Sequence, residues 1–484
     1  MIELSLNELI AITGGRATRS AVGDIAVSAV TTDSREVVPG GLFVAKPGEF
    51  SDGHAFIDQA LNAGAVLALA ERETYDDSRA VHPAIIVPDA VEAMGQIAAH
   101  IVRHLKATNG ATVIGITGSA GKTTTKDLLA GILSAEAPTV SPIGSYNGEV
   151  GVPLTVFQAT ADTKYLVIEM GATGIGHLNY LCDMVHPQIG VVLCVGTAHA
   201  GEFGGVDNIE RAKGELVESL EATGTALLNA DDPRVARMAS RATAQVRYFG
   251  QEPADPEAQP GAVWAREVQV NTAGQPELTL VFADGSTHRI TSGLLGRHHV
   301  SNILAAASAA QAVGVEPGRI AAALHGRGAG SRWRMERIER PDGVSIINDA
   351  YNANPDSMRA ALVTLAELGR GDGTQPARRT WAVLGEMREL GEDSVHEHDL
   401  LGRMAVRLNI AKLVIIGSGA KAAYNSAVLE GSWGDEAHYV ETLEEARTLL
   451  DEQLRAGDIV LFKSSNGAGL RFLGDEVAAA VREG

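Results

Sequence analysis

The sequence predicts an α/β protein of three domains, with a central, mainly parallel sheet of the P-loop ATPase type and a Rossmann-like C-terminal domain. Its 484 residues allow about three domains. From about residue 109 onward, apolar strand-like segments alternate with helical ones, which is typical of parallel sheets covered on both faces. A glycine-rich turn joins a strand to a helix at residues 118–124.

The first predicted domain spans residues 1–108 and lacks a phosphate loop. Its candidate strands are at 41–45, 65–70 and 84–87. Polar residues at 104–110 predict a linker to the second domain.

The second predicted domain spans residues 109–325. Four strands of its parallel sheet are predicted at 112–117, 164–169, 190–195 and 225–229. After a polar, proline-containing stretch at 251–262, antiparallel pieces are expected over 263–290 and a helix at about 300–313. The third predicted domain spans residues 326–484, with strands predicted at 344–347, 381–384, 412–416 and 458–462.

Composition and charge narrow the function. A formal net charge of −20 repels nucleic acid phosphates, so we expect no nucleic acid partner. No apolar stretch approaches the ~20 residues of a membrane span, and the N-terminus lacks the basic region of a signal peptide. Cys182 and Cys194 lie in apolar segments, which predicts buried thiols in a reducing cytoplasm.

Residues 118–124, GSAGKTT, form a candidate phosphate loop. A buried strand over 113–116 leads into the turn of Gly118, Ser119, Ala120 and Gly121, and Lys122, Thr123 and Thr124 begin a helix. Such a loop presents backbone N–H groups to phosphate, with Lys122 reaching the β/γ-phosphates and the Thr123 hydroxyl ligating magnesium. The alternative is a glycine turn followed by a lysine-led helix, because Ile116 replaces the first glycine of the strict pattern.

Two more strands end in polar side chains. Glu169 ends the strand at 164–169, and His199 follows the strand at 190–195 by four residues. Since parallel strands bring their carboxyl ends to one sheet edge, Glu169 is a candidate magnesium ligand and His199 a candidate ligand of a second cation. The alternative for His199 is an ordinary loop histidine.

Lys213 lies on or near an apolar helical stripe. It is four residues after Ile209 and four before Val217, in a helix predicted from about 206 to 220. A lone ammonium is costly to bury there. Either the side chain reaches the solvent rim, or modification or pairing changes its charge.

The motifs GSAGKTT, Glu169-Met170-Gly171-Ala172, His199 and AKGE at 212–215 recur in this order in the Mur ligase family, which this sequence closely resembles. Its members are cytoplasmic ATP-dependent amide ligases of peptidoglycan synthesis. The resemblance implies ATP and Mg²⁺ as cofactors, with Glu169 and His199 binding magnesium. It also implies that Lys213 is carbamylated to an anionic magnesium ligand, and that Lys122, His199 and Lys213 are the catalytic residues.

The resemblance extends to nucleotide binding at three places. The segments TDSR at 32–35 and DGHAFI at 52–57 resemble a uridine-diphosphate-binding domain, with Ser34 and Arg35 as substrate contacts. The segment GRHHVSN at 296–302 resembles an adenine-binding motif with Asn302 as the base contact, although His299 replaces the usual asparagine. Arg334, in WRME at 333–336, matches an arginine at the domain junction of the family.

The third domain resembles the family member that adds D-alanyl-D-alanine. NDAYNANPDSM at 348–358 is nearly its hallmark, and LGEM at 384–387 and SYNGEVGVPL at 145–154 agree, with Gly148 in place of the usual asparagine. The loop KSSN at 463–466 departs from the usual lysine–glycine–serine–arginine. The resemblance assigns Asp349 and Asn352 to ATP, and Asn147 and Asn354 to the substrate.

Together these motifs imply a monomeric, cytoplasmic ligase that joins D-alanyl-D-alanine to UDP-N-acetylmuramoyl-tripeptide through an acyl phosphate. Two alternatives stay open. One is the sister ligase that adds the third amino acid, and the other is an ATP-hydrolysing switch protein.

Overall fold

The structure is a computed structural model and describes residues 1–48, 51–196, 203–251, 261–371, 376–431 and 435–480. These residues form a two-stranded pair and three larger sheets of five, nine and six strands, which follow one another along the chain. The predicted α/β class is confirmed. The domain boundaries at 108 and 325 stay predictions.

The N-terminal sheet has the strand order β2-β7-β6-β5-β4, and its strands are parallel except for the β2–β7 pair. A separate antiparallel pair joins β1 to β3. The strands are β1 Leu4–Ser5, β2 Arg16–Ala17, β3 Ala26–Val27, β4 Ala29–Thr31, β5 Gly41–Ala45, β6 Ala65–Ala70 and β7 Ala84–Ile86. The helices are α1 Leu6–Thr13, α2 Ile57–Asn62 and α3 Ala90–Asn109.

The linker predicted at 104–110 is wrong, because α3 continues to Asn109. Leu105 is fully buried and keeps the apolar face of the helix in the core, while its polar neighbours face solvent. Gly110 then ends the helix with φ +66° and donates its N–H to Lys106 O (3.2 Å). A helix end capped by glycine therefore leads almost directly into β8, which begins at Thr112.

The central sheet has the order β16-β15-β14-β13-β12-β11-β8-β10-β9, with parallel pairs from β9 to β14 and antiparallel pairs over β14–β16. The antiparallel end was predicted from the sequence. The strands are β8 Thr112–Thr117, β9 Thr139–Val140, β10 Tyr165–Glu169, β11 Ile189–Val192, β12 Thr225–Asn229, β13 Gln245–Gln251, β14 Val263–Val270, β15 Pro276–Val281 and β16 Thr287–Thr291. The strand predicted over 190–195 thus ends earlier, at Val192.

Helices cover both faces of this sheet. They are α4 Lys122–Leu133, α5 Gly151–Val156, α6 His177–Val185, α7 Val206–Glu218, α8 Pro233–Ala236, α9 His299–Ala312 and α10 Pro317–Leu324. Along β8, Val113 packs into the core on one face, while Ile114 and Ile116 pack into the core on the other. This double burial explains the continuous apolar run that the sequence shows there.

The C-terminal sheet has the order β17-β18-β22-β19-β20-β21 and is parallel except for the antiparallel β17–β18 pair. Its strands are β17 Glu336–Glu339, β18 Ser345–Asn348, β19 Thr380–Leu384, β20 Lys412–Ile416, β21 Ala437–Val440 and β22 Ile459–Lys463. Its helices are α11 Pro355–Gly369, α12 Ser394–Arg407, α13 Lys421–Glu430, α14 Leu443–Gln453 and α15 Leu470–Ala479. The edge strands β17 and β21 were not predicted, because both are partly exposed and lack a continuous apolar run.

None of the described helices combines the length and apolar character that a bilayer crossing requires. Cys182 and Cys194 are free thiols; Cys182 is buried as predicted, whereas Cys194 is partly exposed.

Candidate active site

The segment 118–124 joins β8 to α4 as a tight turn, as the sequence predicts. Gly121 precedes the helix with φ +84°, a conformation that favours glycine. A Cβ atom at this position would lie 2.2 Å from Asn302 Oδ1, so the loop also needs glycine for close packing. The first turn of α4 thereby directs backbone N–H groups into an open cleft, as a phosphate site requires.

Glu169 lies beside this loop because β8 and β10 are adjacent parallel strands. Its carboxylate is fully buried and accepts hydrogen bonds from the Thr123 hydroxyl (2.9 Å), the Ser145 hydroxyl (2.6 Å) and the Asn147 amide (2.8 Å). All three donors are neutral. The hydroxyl and carboxylate oxygens are the ligands that Mg²⁺ prefers, so Thr123 and Glu169 fit a magnesium ion.

Two lysines meet in the same cleft. Lys122 Nζ donates to Gly118 O (2.8 Å), and burial lowers its pKa. Lys213 is only 5% exposed, which contradicts the alternative that it reaches the solvent rim. Burial, helped by the nearby Lys122 ammonium, lowers the pKa of Lys213 to about 7, so a large share of this amine is neutral at physiological pH.

The C-terminal domain closes the other side of the cleft. Arg334 Nη2 donates to the Thr123 hydroxyl (3.1 Å), and its guanidinium lies over the Tyr351 ring at 4.4 Å from the ring centroid. The Asn354 amide donates to Ser119 O (3.4 Å). The Thr123 hydroxyl therefore contacts both the Glu169 carboxylate at the end of β10 and the Arg334 guanidinium, which precedes β17.

The resulting cleft has a volume of about 650 Å³. Its wall contains the phosphate loop and residues from both sides, among them Asn147, Glu169, Lys213, Arg334, Tyr351, Asn352, Asn354, Glu389 and Asn466. Tyr351, Ser145 and Glu389 were not singled out from the sequence. Tyr351 and Ser145 lie inside the quoted motifs, whereas Glu389 is marked only by its backbone conformation.

Other predicted site residues lie beside the cleft wall or in another domain. Asn302 lies beneath the loop and accepts from the Thr125 hydroxyl (3.4 Å). Asp349 accepts from the Met335 N–H (3.0 Å) and pairs with Lys463 (2.5 Å), so its carboxylate joins two segments of the C-terminal domain.

In the N-terminal domain, Ser34 donates to Gln59 (3.2 Å) and Arg35 pairs with Asp33 (2.5 Å). Neither belongs to the cleft wall. His199 lies outside the described residues. The functional roles assigned to all these residues stay predictions.

Comparisons with known proteins agree with this geometry. The family model described as Mur ligase middle domain matches residues 116–310, that of the Mur ligase glutamate ligase domain matches 333–466, and that of the Mur ligase family catalytic domain matches 26–101. The chain is 41% identical to the UDP-N-acetylmuramoyl-tripeptide–D-alanyl-D-alanine ligase of Mycobacterium tuberculosis, over 99% of this chain and 98% of that relative.

The chain belongs to the Mur ligase family. It is therefore an ATP-dependent ligase, as predicted. A crystal structure of MurF from Acinetobacter baumannii superimposes with a TM-score of 0.84 at 30% identity, over 99% of each chain. The MurF ligase of Thermotoga maritima in complex with ADP gives a TM-score of 0.75 at 26% identity, over 93% of this chain and 97% of that one. These likenesses confirm the predicted family and fold class.

Proposed function

We propose that this ligase joins D-alanyl-D-alanine to UDP-N-acetylmuramoyl-tripeptide at the expense of ATP. Support comes from the names of the relatives, from the segment at 348–358, and from the cleft between the central and C-terminal domains. The observation that carries the proposal is the Thr123 hydroxyl, which is bonded to Glu169 on one side and to Arg334 of the C-terminal domain on the other.

The reaction forms one amide bond and cleaves one phosphoanhydride bond. The terminal carboxylate of the tripeptide attacks the γ-phosphorus of ATP, which gives an acyl phosphate and releases ADP. The amine of the dipeptide then attacks the acyl carbon, and inorganic phosphate leaves. A carboxylate alone reacts poorly with an amine, so the phosphoryl group supplies the leaving group.

This chain's residues act mainly through charge and position. Lys122 and Arg334 hold positive charge where the phosphoryl group transfers, and the N–H groups of the loop orient its oxygens. Magnesium, when bound, would be held by Thr123 and Glu169, with His199 and a carbamylated Lys213 as the further ligands that the family resemblance implies, and would supply positive charge to the phosphate oxygens.

Substrate recognition is divided among the domains. We assign Ser34 and Arg35 to the uridine diphosphate end, and Asn147 and Asn354 to the peptide end. ATP is assigned to the phosphate loop with Asn302, Asp349 and Asn352.

The deciding experiment is mass spectrometry of the product from ATP, UDP-N-acetylmuramoyl-tripeptide and D-alanyl-D-alanine. We expect the pentapeptide product, with one ADP and one phosphate for each amide bond. In a parallel reaction, the dipeptide precursor and a third amino acid should give no product. Product only from this second mixture would identify the sister ligase, and phosphate release without either substrate would identify a switch protein.

A further inference from the structure

The loop that follows β19 places an acidic side chain in the cleft, opposite the phosphate loop. Glu389 belongs to the cleft wall together with Lys122, Lys213 and Asn466, and its side chain is exposed there. The site has a place for the phosphoryl donor in the central domain. The role of a carboxylate on the facing domain is so far unexplained.

The backbone of Glu389 is in the left-handed region, with φ +65°. This conformation costs a non-glycine residue on the order of 1–3 kcal/mol and persists only where the surroundings impose it. Met387 and Leu390 are buried on either side of this position, so the left-handed turn brings Glu389 out of the core and into the cleft. Strained residues of this kind concentrate at functional sites.

Hydrogen bonds hold the loop rigidly. The Met387 N–H donates to Nε2 of the fully buried His398 (2.9 Å), and the Arg388 N–H donates to the Ser465 hydroxyl (2.9 Å). The Ser465 N–H in turn donates to Glu386 O (3.0 Å). The loops after β19 and β22 are therefore fixed against each other at the carboxyl ends of adjacent parallel strands, where ligands bind in such sheets.

A positive charge accompanies this carboxylate. The Arg388 guanidinium pairs with Glu386 through Nε (2.5 Å), and its Nη1 lies against the backbone of Gly467, where a Cβ atom would be only 2.3 Å away. Gly467 follows Asn466 of the cleft wall. The opposite charges of Arg388 and Glu389 match those of a dipeptide, whose ammonium and carboxylate termini are at most ~7 Å apart.

We propose that Glu389 binds the ammonium group of the incoming dipeptide and takes its proton, while Arg388 binds the dipeptide's carboxylate. This inference rests on the proposed ligase function and names the residues that receive its amine substrate.

The proton balance gives Glu389 its role. The ammonium group transfers one proton to the Glu389 carboxylate and becomes a nucleophilic amine. The nitrogen forms a bond to the acyl carbon, the bond from that carbon to the phosphate oxygen breaks, and the second proton leaves with the phosphate. Glu389 then returns its proton to solvent.

The test separates acyl phosphate formation from amine attack. Hydroxylamine, which is already unprotonated at neutral pH, traps the acyl phosphate as a hydroxamate without help from a base. Wild-type enzyme with ATP and UDP-N-acetylmuramoyl-tripeptide should give the hydroxamate. If it gives none, the proposed function fails, whatever Glu389 does.

The informative variant is Glu389→Gln, with Glu392→Gln as the matched control on the exposed part of the same loop. We expect hydroxamate formation within about twofold of wild type and a fall of about 10²–10⁴ in kcat/KM for D-alanyl-D-alanine. The rate of the residual ligation by Glu389→Gln should rise tenfold per pH unit up to the pKa of the dipeptide's amine, about 8. The Arg388→Gln variant should raise KM for the dipeptide at least tenfold and leave KM for ATP unchanged.

A further variant distinguishes a functional role from a structural one. Glycine tolerates φ +65°, so Glu389→Gly should unfold at no lower temperature than wild type while losing dipeptide ligation. Ligation by Glu389→Gln within threefold of wild type would overturn the proposal. An equal loss of hydroxamate and amide would also overturn it, because the defect would then precede amine attack.

Discussion

Substitution of Lys213 by methionine should stabilise the apo protein, and more at low pH than at high pH. Burial lowers the pKa of this amine from 10.5 to about 7. At 1.36 kcal/mol per pH unit, this difference corresponds to about 5 kcal/mol of burial cost when the lysine is charged. Methionine has a similar length and carries no charge, so Lys213→Met removes that cost.

The pH dependence follows from the sign of this shift. Between about pH 7 and 10.5 the unfolded chain binds more protons at Lys213 than the folded chain does, so the wild-type free energy of unfolding rises with pH in that window. The advantage of Lys213→Met should therefore be largest below pH 7 and fall by about 2 kcal/mol between pH 7 and pH 9. Urea denaturation of both proteins in CO₂-free buffer measures this difference. Parallel stability curves over this pH range would refute the reasoning.

The same depressed pKa favours carbamylation, because CO₂ reacts with the neutral amine. At pH 7.5 about three quarters of an amine with a pKa near 7 is neutral, against about one in a thousand for an ordinary lysine. Bicarbonate should therefore raise wild-type activity. Lys213→Ala should lose most activity, and short-chain carboxylic acids should restore part of it. Full activity of Lys213→Ala would contradict the proposed role.

Three further predictions concern the phosphate loop and the neighbouring Glu169. Lys122→Ala should abolish ligation without lowering the free energy of unfolding, because the Lys122 ammonium is buried and burial lowers its pKa. Turnover near the wild-type rate would contradict the phosphate-loop assignment. Glu169→Gln should raise the Mg²⁺ concentration for half-maximal turnover at least tenfold, because it replaces a carboxylate that lies 2.9 Å from the Thr123 hydroxyl. An unchanged dependence of turnover on Mg²⁺ would argue against Glu169 as a magnesium ligand. Gly121→Ala should lower the free energy of unfolding by about 1–3 kcal/mol, because the backbone has φ +84° and the new Cβ would clash with the Asn302 side chain. An unchanged midpoint in urea denaturation would mean that the loop relaxes freely.

The sequence by itself determined the features that depend on local pattern. The apolar run of β8, the glycine turn and the start of α4 at Lys122 were all predicted, because strand burial, left-handed glycines and helix starts are written within about ten residues. The approach of Glu169 to the loop was also predictable, since all strands of a parallel sheet place their carboxyl ends at the same edge. Local pattern gave a wrong prediction at residues 104–110, because the polar residues on the exposed face of α3 resemble those of a linker. The segment is helical because Leu105 packs into the core.

Tertiary structure alone decided which distant side chains meet. Arg334 reaches Thr123 across 211 residues, and Asn302 packs under Gly121 across the sheet edge. Glu389 enters the cleft through a left-handed backbone that glycine, not glutamate, ordinarily adopts. The spacing of apolar residues in the sequence does not indicate such contacts. They depend on how whole sheets pack against each other and on backbone strain that the surrounding core maintains.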